Sequence, residues 1–397
     1  MSAADSFIEA IPVLKKIHQG GYEAYFVGGC VRDHLLDRVV NDVDIATSAT
    51  PQEIKLLFKK TVDVGIEHGT VMVLHHGKGY EVTTYRSEST YTDFRRPDQV
   101  QFVRSLKEDL KRRDFTINAM AMSVDFHITD LYGGRQDLER RIIRTVGDAK
   151  ERFSEDALRM LRGARFAAQL SFDIEENTFC TMLELSYLLQ HIAVERKRME
   201  MDKLLMGRNW AKGLEYILQA QFHIYLPPFP VTEDRIKHFS KMNIQHLTAE
   251  QRWGLVMLPI DRSECESALK SWRLSRKQIN YIKKLIDLYN WRTEHSWSPF
   301  IVYESGLDRI QQAEQLYAAV NEMDYNESEI HGIWRSLPIK NMKDLDVNGR
   351  ELVSWSDRSE GPWIGTLFSE IEQAVLEGHL NNSKSEIKKW VKEWHQK

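Results

Sequence analysis

A chain of 397 residues, 42% hydrophobic and 28% charged, has the composition of an ordinary soluble protein and room for roughly two to four domains. Its 54 basic and 58 acidic residues give a net charge of −4, so any contact with nucleic acid must come from local basic surface. No apolar run reaches spanning length, Met1 to Phe7 carries no signal region, and Cys30, Cys180 and Cys265 are too scattered for a metal or disulfide framework. Together these predict a cytoplasmic protein with free thiols and no membrane segment.

The first third reads as mixed α/β. Residues 7–18 have helical spacing through Ile8, Ile11, Leu14 and Ile17, and Gly20-Gly21 stops them. Tyr22 to Val27 reads as a strand, Gly28-Gly29 as a turn, Cys30 to Leu36 as a helix and Val43 to Ala46 as a second strand. Thr50-Pro51-Gln52-Glu53 opens a helix with a capping box and proline in its first turn. Val71 to Leu74 and Tyr80 to Tyr85 form a hairpin across the turn His75 to Gly79. Between Arg86 and Val100 the segment Ser87 to Pro97 is polar and lacks either hydrophobic period, which describes a mobile loop. From about residue 150 the pattern is helical, and all ten tryptophans lie there, from Trp210 to Trp394.

Three constellations carry chemistry. Gly28-Gly29-Cys30-Val31-Arg32-Asp33 places two glycines between a strand and a helix, where backbone N–H groups can approach a phosphate chain and Arg32 can add charge. Asp42 and Asp44, two apart on a strand, project from one face and suit Mg²⁺, which takes one or two carboxylates plus substrate phosphates. Either feature alone is common structure; both within 17 residues is a stronger coincidence. In Arg112-Arg113-Asp114 to Asn118, Arg113 can hold a triphosphate, while Asp114 and Asn118 offer polar groups to a ribose.

The third is Glu155-Asp156-Ala157-Leu158-Arg159 on to Arg162 and Arg165. Ser154 reads as the N-cap of a helix whose apolar face is Ala157, Met160, Leu161, Ala164 and Ala168. Asp156 and Arg159 fall away from that face, and Gly163 reads as open space beside them. Cytosine and adenine each present an exocyclic amino donor beside a ring-nitrogen acceptor. A carboxylate and a guanidinium can read that pattern in both, and reject the reversed pattern of uracil and guanine by up to about 10⁴-fold.

These blocks in this order resemble the class II tRNA nucleotidyltransferases, the CCA-adding enzymes of bacteria and eukaryotes. Asp130-Leu131-Tyr132-Gly133-Gly134 resembles the family's hinge motif between head and neck. The resemblance implies an α+β polymerase-β-like nucleotidyltransferase head (1–148), followed by an all-α neck (149–210), body (211–295) and tail (296–397). It implies metal ligands at Asp42 and Asp44, with Glu81 as the third catalytic carboxylate. Nucleotide contacts carry over to Gly29, Arg32, Arg113, Asp156, Arg159, Arg162 and Arg165, and ribose sensing to Asp114 and Asn118. The implied cofactor is a pair of Mg²⁺ ions, the substrates CTP and ATP, and the partner tRNA; a homodimer is compatible. CC-adding, A-adding and poly(A)-polymerase relatives share the head motifs, and a non-catalytic RNA-binding protein is the reading from another class. The absence of a His-Asp dipeptide predicts no phosphohydrolase activity.

Overall fold

The structure, a computed structural model, describes residues 3–88, 100–356 and 358–394. The chain forms two compact units, Met1–Ser240 with Ser267–Arg273, and Lys241–Glu266 with Leu274–Lys397.

In the first unit the elements run α1 (Ala3–Gln19), β1 (Ala24–Val27), α2 (Gly29–Leu35), β2 (Asp44–Thr47), α3 (Pro51–Leu57), β3 (Thr61–Gly65), β4 (Thr70–His75), β5 (Lys78–Thr84), β6 (Arg86–Glu88), β7 (Val100–Phe102), α4 (Leu106–Lys111), β8 (Met120–Met122), β9 (Ile128–Asp130) and α5 (Gly134–Arg140). Helices then dominate: α6 (Ala149–Glu155), α7 (Leu158–Leu170), α8 (Glu176–Glu184), α9 (Val194–Leu205) and α10 (Trp210–Gln219). Seven strands make one mixed sheet in the order β3-β4-β5-β2-β1-β8-β9, in which β2 and β5 run parallel and the other pairs antiparallel. The α+β head followed by helices is therefore the architecture of the chain.

Local sequence explains most of these elements. Thr50 and Glu53 satisfy each other's backbone N–H groups in a capping box, with Pro51 in the first turn of α3. The β4–β5 hairpin is tighter than the sequence suggests. His75 pairs with Lys78, leaving a two-residue turn at His76 and Gly77, both at positive φ, the geometry that follows strand twist. Helix α1 buries Phe7, Ala10, Val13, Leu14 and Ile17 and leaves Ile8 56% exposed, so the apolar face is turned from the one read off the spacing. The stretch read as pure loop begins and ends as a ribbon: Arg86, Ser87 and Glu88 pair with Phe102, Gln101 and Val100. The rest of it, residues 89–99, including Arg95 and Arg96, lies outside the described residues.

The second unit is helical. One core gathers Leu285, Leu288, Val302, Ile310 and Ile330; the other gathers Leu352, Leu367, Ile371, Ile387 and Val391. The nearly buried Glu314 accepts hydrogen bonds from Arg292 Nε (2.8 Å) and Trp297 Nε1 (2.7 Å), so its charge is compensated within the helical core. No helix among the described residues is long and apolar enough to cross a membrane. The thiols of Cys30 and Cys265 are buried, that of Cys180 is exposed, and all are free.

Candidate active site

Strand β2 opens on Asp44; Asp42 precedes it in irregular chain, so the two are not on one strand as their spacing suggests. Both nevertheless line one cleft of about 550 Å³, together with Glu81. Parallel pairing sets Glu81 of β5 directly beside Asp44 of β2, a neighbour 37 residues away that spacing alone does not reveal. All three carboxylates are exposed to that cleft. The cleft walls still partly desolvate Asp44 and raise its carboxyl; Glu81 adds to this, Arg113 opposes it and Asp42 adds again. Among the described residues no group of three or more His, Cys, Asp or Glu side chains is placed to hold a metal ion. Clustered hard-oxygen donors that leave coordination places for substrate phosphates suit Mg²⁺, which is seldom held by protein alone.

Asp44 also lines a second cleft, of about 530 Å³, on which the other motifs converge. Gly28 sits at φ 77° between β1 and α2, and a Cβ there would lie 2.9 Å from Arg113 Nη1. Only glycine admits both the backbone turn and the guanidinium. Seven arginines and three aspartates line this cleft, so its field is strongly positive. Buried donors without a protein partner remain at Arg113 Nε and Arg196 Nη1, which suits an acceptor-rich anion.

A buried network fixes the middle of the cleft. Asp33 holds Arg32 at 2.9 Å, and Arg32 Nη1 donates to Asn118 Oδ1 at 2.7 Å. Asn118 Nδ2 donates to Asp114 Oδ1 at 3.1 Å, and Arg162 Nε donates to Asp114 Oδ2 at 2.7 Å. Burial alone would raise the Asp114 carboxyl, but Arg162 and Asn118 outweigh it and hold it well below the usual range. The ribose-sensing candidates thus join α2 of the head to α7. Phe166 carries three guanidinium groups around its ring, those of Arg32 at 5.2 Å, Arg162 at 5.6 Å and Arg165 at 4.2 Å. Arg165 is paired with Glu200 at 3.0 Å, and burial brings it down to about 10, which leaves it charged at neutral pH.

The third constellation departs from the sequence reading in three ways. Ser154 is no N-cap, because it lies in the last turn of α6, which Asp148 caps through the Glu151 N–H. The chain breaks at Asp156, and α7 starts at Leu158, whose N–H donates to Asp156 Oδ1 at 3.1 Å. Gly163 faces packed core: a Cβ there would lie 3.3 Å from both Phe115 and Met182. Asp156 and Arg159 both line the cleft; the Arg159 N–H donates to the Asp156 carbonyl at 3.0 Å, while their side chains are held by other partners. Arg196 of α9 holds Asp156 at 2.7 Å, Glu155 holds Arg159 at 2.6 Å, and the Arg112 carbonyl also accepts from Arg159. The contact of Arg196 with Asp156, 40 residues away, leaves no signal in the sequence and required the fold.

Residues 24–144 match the poly A polymerase head domain, 171–233 the probable RNA and SrmB-binding site of polymerase A, and 244–391 the putative tRNA nucleotidyltransferase domain 2. The chain is 44% identical to the CCA-adding enzyme of Streptococcus pyogenes, covering 99% of this chain and 98% of that one. It is 42% identical to the CCA-adding enzyme of Bacillus cytotoxicus, covering 98% of each. Its fold is similar to the crystal structure of the Bacillus stearothermophilus CCA-adding enzyme in complex with CTP, with a TM-score of 0.91 and 39% identity over 98% of each chain.

Proposed function

The chain belongs to the CCA-adding enzymes, the class II tRNA nucleotidyltransferases, and we propose on that premise that it adds C, C and A in turn to the 3′ end of tRNA. CTP and ATP are the donors and pyrophosphate is released. The observation that carries this reading is the arginine-rich cleft lined both by Gly29, Arg32 and Arg113 of the head and by Asp156 and Arg159 of the following helices, with Asp44 in its wall. The triphosphate lies against Arg32 and Arg113 and the backbone of Gly29, where charge-assisted bonds fix it. Asp156 accepts from the exocyclic amino group and Arg159 donates to the ring nitrogen. Because Arg196 and Glu155 hold them separately, the acceptor and the donor stay distinct. Arg162, Arg165 and the pair Asp114 and Asn118 brace the sugar side of the same cleft.

The family depends on a divalent metal, and we infer two Mg²⁺ ions held by Asp42 and Asp44, with Glu81 as the third carboxylate. The metal supplies Lewis-acid activation of the tRNA 3′-hydroxyl and charge neutralisation at the reacting and departing phosphates. The cleft shared by Asp42, Asp44 and Glu81 is the place for the 3′ end of the acceptor, since Asp44 alone borders both spaces. Residues 1–148 serve as catalytic head, 149–210 as neck carrying the template pair, 211–295 as body and 296–397 as the tail that contacts tRNA. Recognition of the acceptor stem rests on phosphate and shape, because every tRNA must be accepted. The reading places the protein in the cytoplasm with its substrate and is compatible with a homodimer.

The test is incubation with tRNA lacking one, two or three 3′ nucleotides and each nucleoside triphosphate separately. C addition to tRNA lacking two or three nucleotides, and A addition only to tRNA ending in CC, is the expected result. Addition of A alone from every substrate, or none with any tRNA, overturns it.

A further inference from the structure

Helix α4 contributes no residue to the lining of the nucleotide cleft, yet Asp109 in it is fully buried. Arg112 Nε and Nη2 both reach Asp109 Oδ1, at 2.9 and 2.8 Å, and Arg113 Nη2 donates to Asp109 Oδ2 at 3.1 Å. One carboxylate thus receives two consecutive guanidinium groups, and both arginines line the cleft. An i,i+3 or i,i+4 ion pair on an exposed helix contributes a few tenths of a kcal/mol and positions nothing. Here the Asp109 side chain is 1% exposed and the two arginine side chains 15% and 17%, so the geometry is fixed by largely desolvated charge. Burial alone would raise the Asp109 carboxyl; Arg112 and Arg113 outweigh it and hold it below the usual range, so it stays ionised.

The two arginines lead to different parts of the cleft. Arg113 reaches forward to Gly28 and toward the Asn118 carbonyl at 3.5 Å. Arg112 offers its backbone carbonyl to Arg159 Nη2 at 3.2 Å. We propose that Asp109 is a positioning residue for nucleotide binding: it sets the Arg113 guanidinium beside Gly28 and, through Arg112, the carbonyl that receives Arg159. Asp109 touches no substrate itself; it acts by removing rotational freedom from a long side chain before the anion arrives. The identity of the ligand rests on the functional reading above, but the mechanical link does not.

The experiment is a double-mutant cycle read as the Kd for CTP in Mg²⁺, with Kd for tRNA and the thermal midpoint measured on the same proteins. Asp109→Asn should weaken CTP about tenfold, the loss of one charge-assisted hydrogen bond, with tRNA affinity unchanged. In an Arg113→Gln background the same substitution should cost clearly less than about tenfold, because one of the two groups it positions is gone and only the route through Arg112 remains. Equal losses in both backgrounds, or a native Kd in Asp109→Asn, overturn the proposal. Should the Asn chain not fold, Asp109→Glu replaces it in the cycle; it keeps the charge and moves the carboxylate by one methylene. A smaller loss of CTP affinity, again reduced in the Arg113→Gln background, is then expected, and a native Kd or additive losses overturn it. Wild-type protein that binds CTP but transfers nothing counts against the functional reading, while the cycle still decides the role of Asp109.

Discussion

Asp44 stands where the two clefts meet, and its neighbours Asp42 and Glu81 reach it from different stretches of chain. If these carboxylates hold the metal, Asp42→Ala or Asp44→Ala should lower transfer by at least about a thousandfold and leave the Kd for tRNA within about twofold, since binding draws on phosphate contacts elsewhere. Near-normal turnover of either variant in Mg²⁺ removes the assignment. Asp114 makes a different prediction, because its ion pair with Arg162 ties separate stretches of the chain together. Its carboxyl titrates well below the usual value in the folded chain and near about 3.9 when unfolded. Its stabilisation is therefore complete above about pH 4 and drains as the pH falls toward the depressed folded value. Asp114→Asn should cost on the order of 2 kcal/mol at pH 7, discounted because Arg162 is a third exposed. Its urea midpoint should then fall less steeply than wild type below about pH 4. A parallel fall in both proteins would contradict the pairing. Single residues such as Asp44 and Arg113 were legible in the sequence because their chemistry sits inside short motifs. Arg196 and Glu200 were not, because a partner that acts across the fold leaves no local pattern, and Asp109 was not because nothing in its i,i+3 and i,i+4 spacing shows that it is buried.

At the level of elements, the sequence was readable where backbone groups are satisfied locally and opaque where tertiary pairing decides. The capping box of α3 and the Gly28 turn follow from a few adjacent residues. The ribbon of β6 and β7 has three residues per strand; Arg86-Ser87-Glu88 carries no apolar residue, and the alternation of Val100-Gln101-Phe102 is too short to read as a strand. The break between α6 and α7 escaped for the opposite reason: helical spacing continues across it, and only the extended backbone of Asp156 separates the two helices. That break matters, because it turns the Asp156 backbone out of helical geometry and sets Asp156 and Arg159 in the wall of one cleft. Arg159→Ala should leave α7 folded yet admit UTP or GTP; an enzyme slowed but equally selective for CTP and ATP would reduce α7 to a scaffold. A second element-scale test lies at Gly134, where α5 meets the turn that carries Asp114 and Asn118. The Asp130 carboxylate accepts from the Tyr132, Gly134 and Arg135 N–H groups and fixes the start of α5. A Cβ on Gly134 would lie 2.3 Å from the Thr116 carbonyl oxygen, a backbone atom that has no side-chain freedom to move aside. Gly134→Ala should cost about 2 kcal/mol by overpacking and weaken CTP through displacement of Asn118. A native thermal midpoint would show that α5 moves independently of the site.

At the scale of the molecule, the proposed reading requires one cleft, lined by Asp156 and Arg159, to accept first a pyrimidine and then a purine. Since head and helices line that cleft together, the size of the base pocket depends on how the two sides approach, and something must change that approach after the second C. The segment between β6 and β7 is the candidate by position. Arg86 donates to the His68 carbonyl and Val103 N–H to the Tyr85 carbonyl, so the ribbon is tied to the head sheet at its base. Residues 89–99 lie outside the described residues, and both ends of the segment are set by the pairing of β6 with β7. Deleting 89–95 leaves Arg96-Pro97-Asp98-Gln99 to join Glu88 to Val100, a four-residue connection of a length that antiparallel strands commonly use. The deletion should therefore leave the ribbon, the fold and both carboxylate and arginine groups in place. On tRNA lacking all three nucleotides, with CTP and ATP both supplied, the intact protein should yield full CCA and the deletion variant should stop at CC. Because one cleft serves both bases, excess CTP should also inhibit the final A addition competitively in the intact protein. Full CCA from the deletion variant would take the segment out of the mechanism. Uncompetitive or absent inhibition by CTP would mean that C and A are read in separate places, and the single template of Asp156 and Arg159 would fail with it.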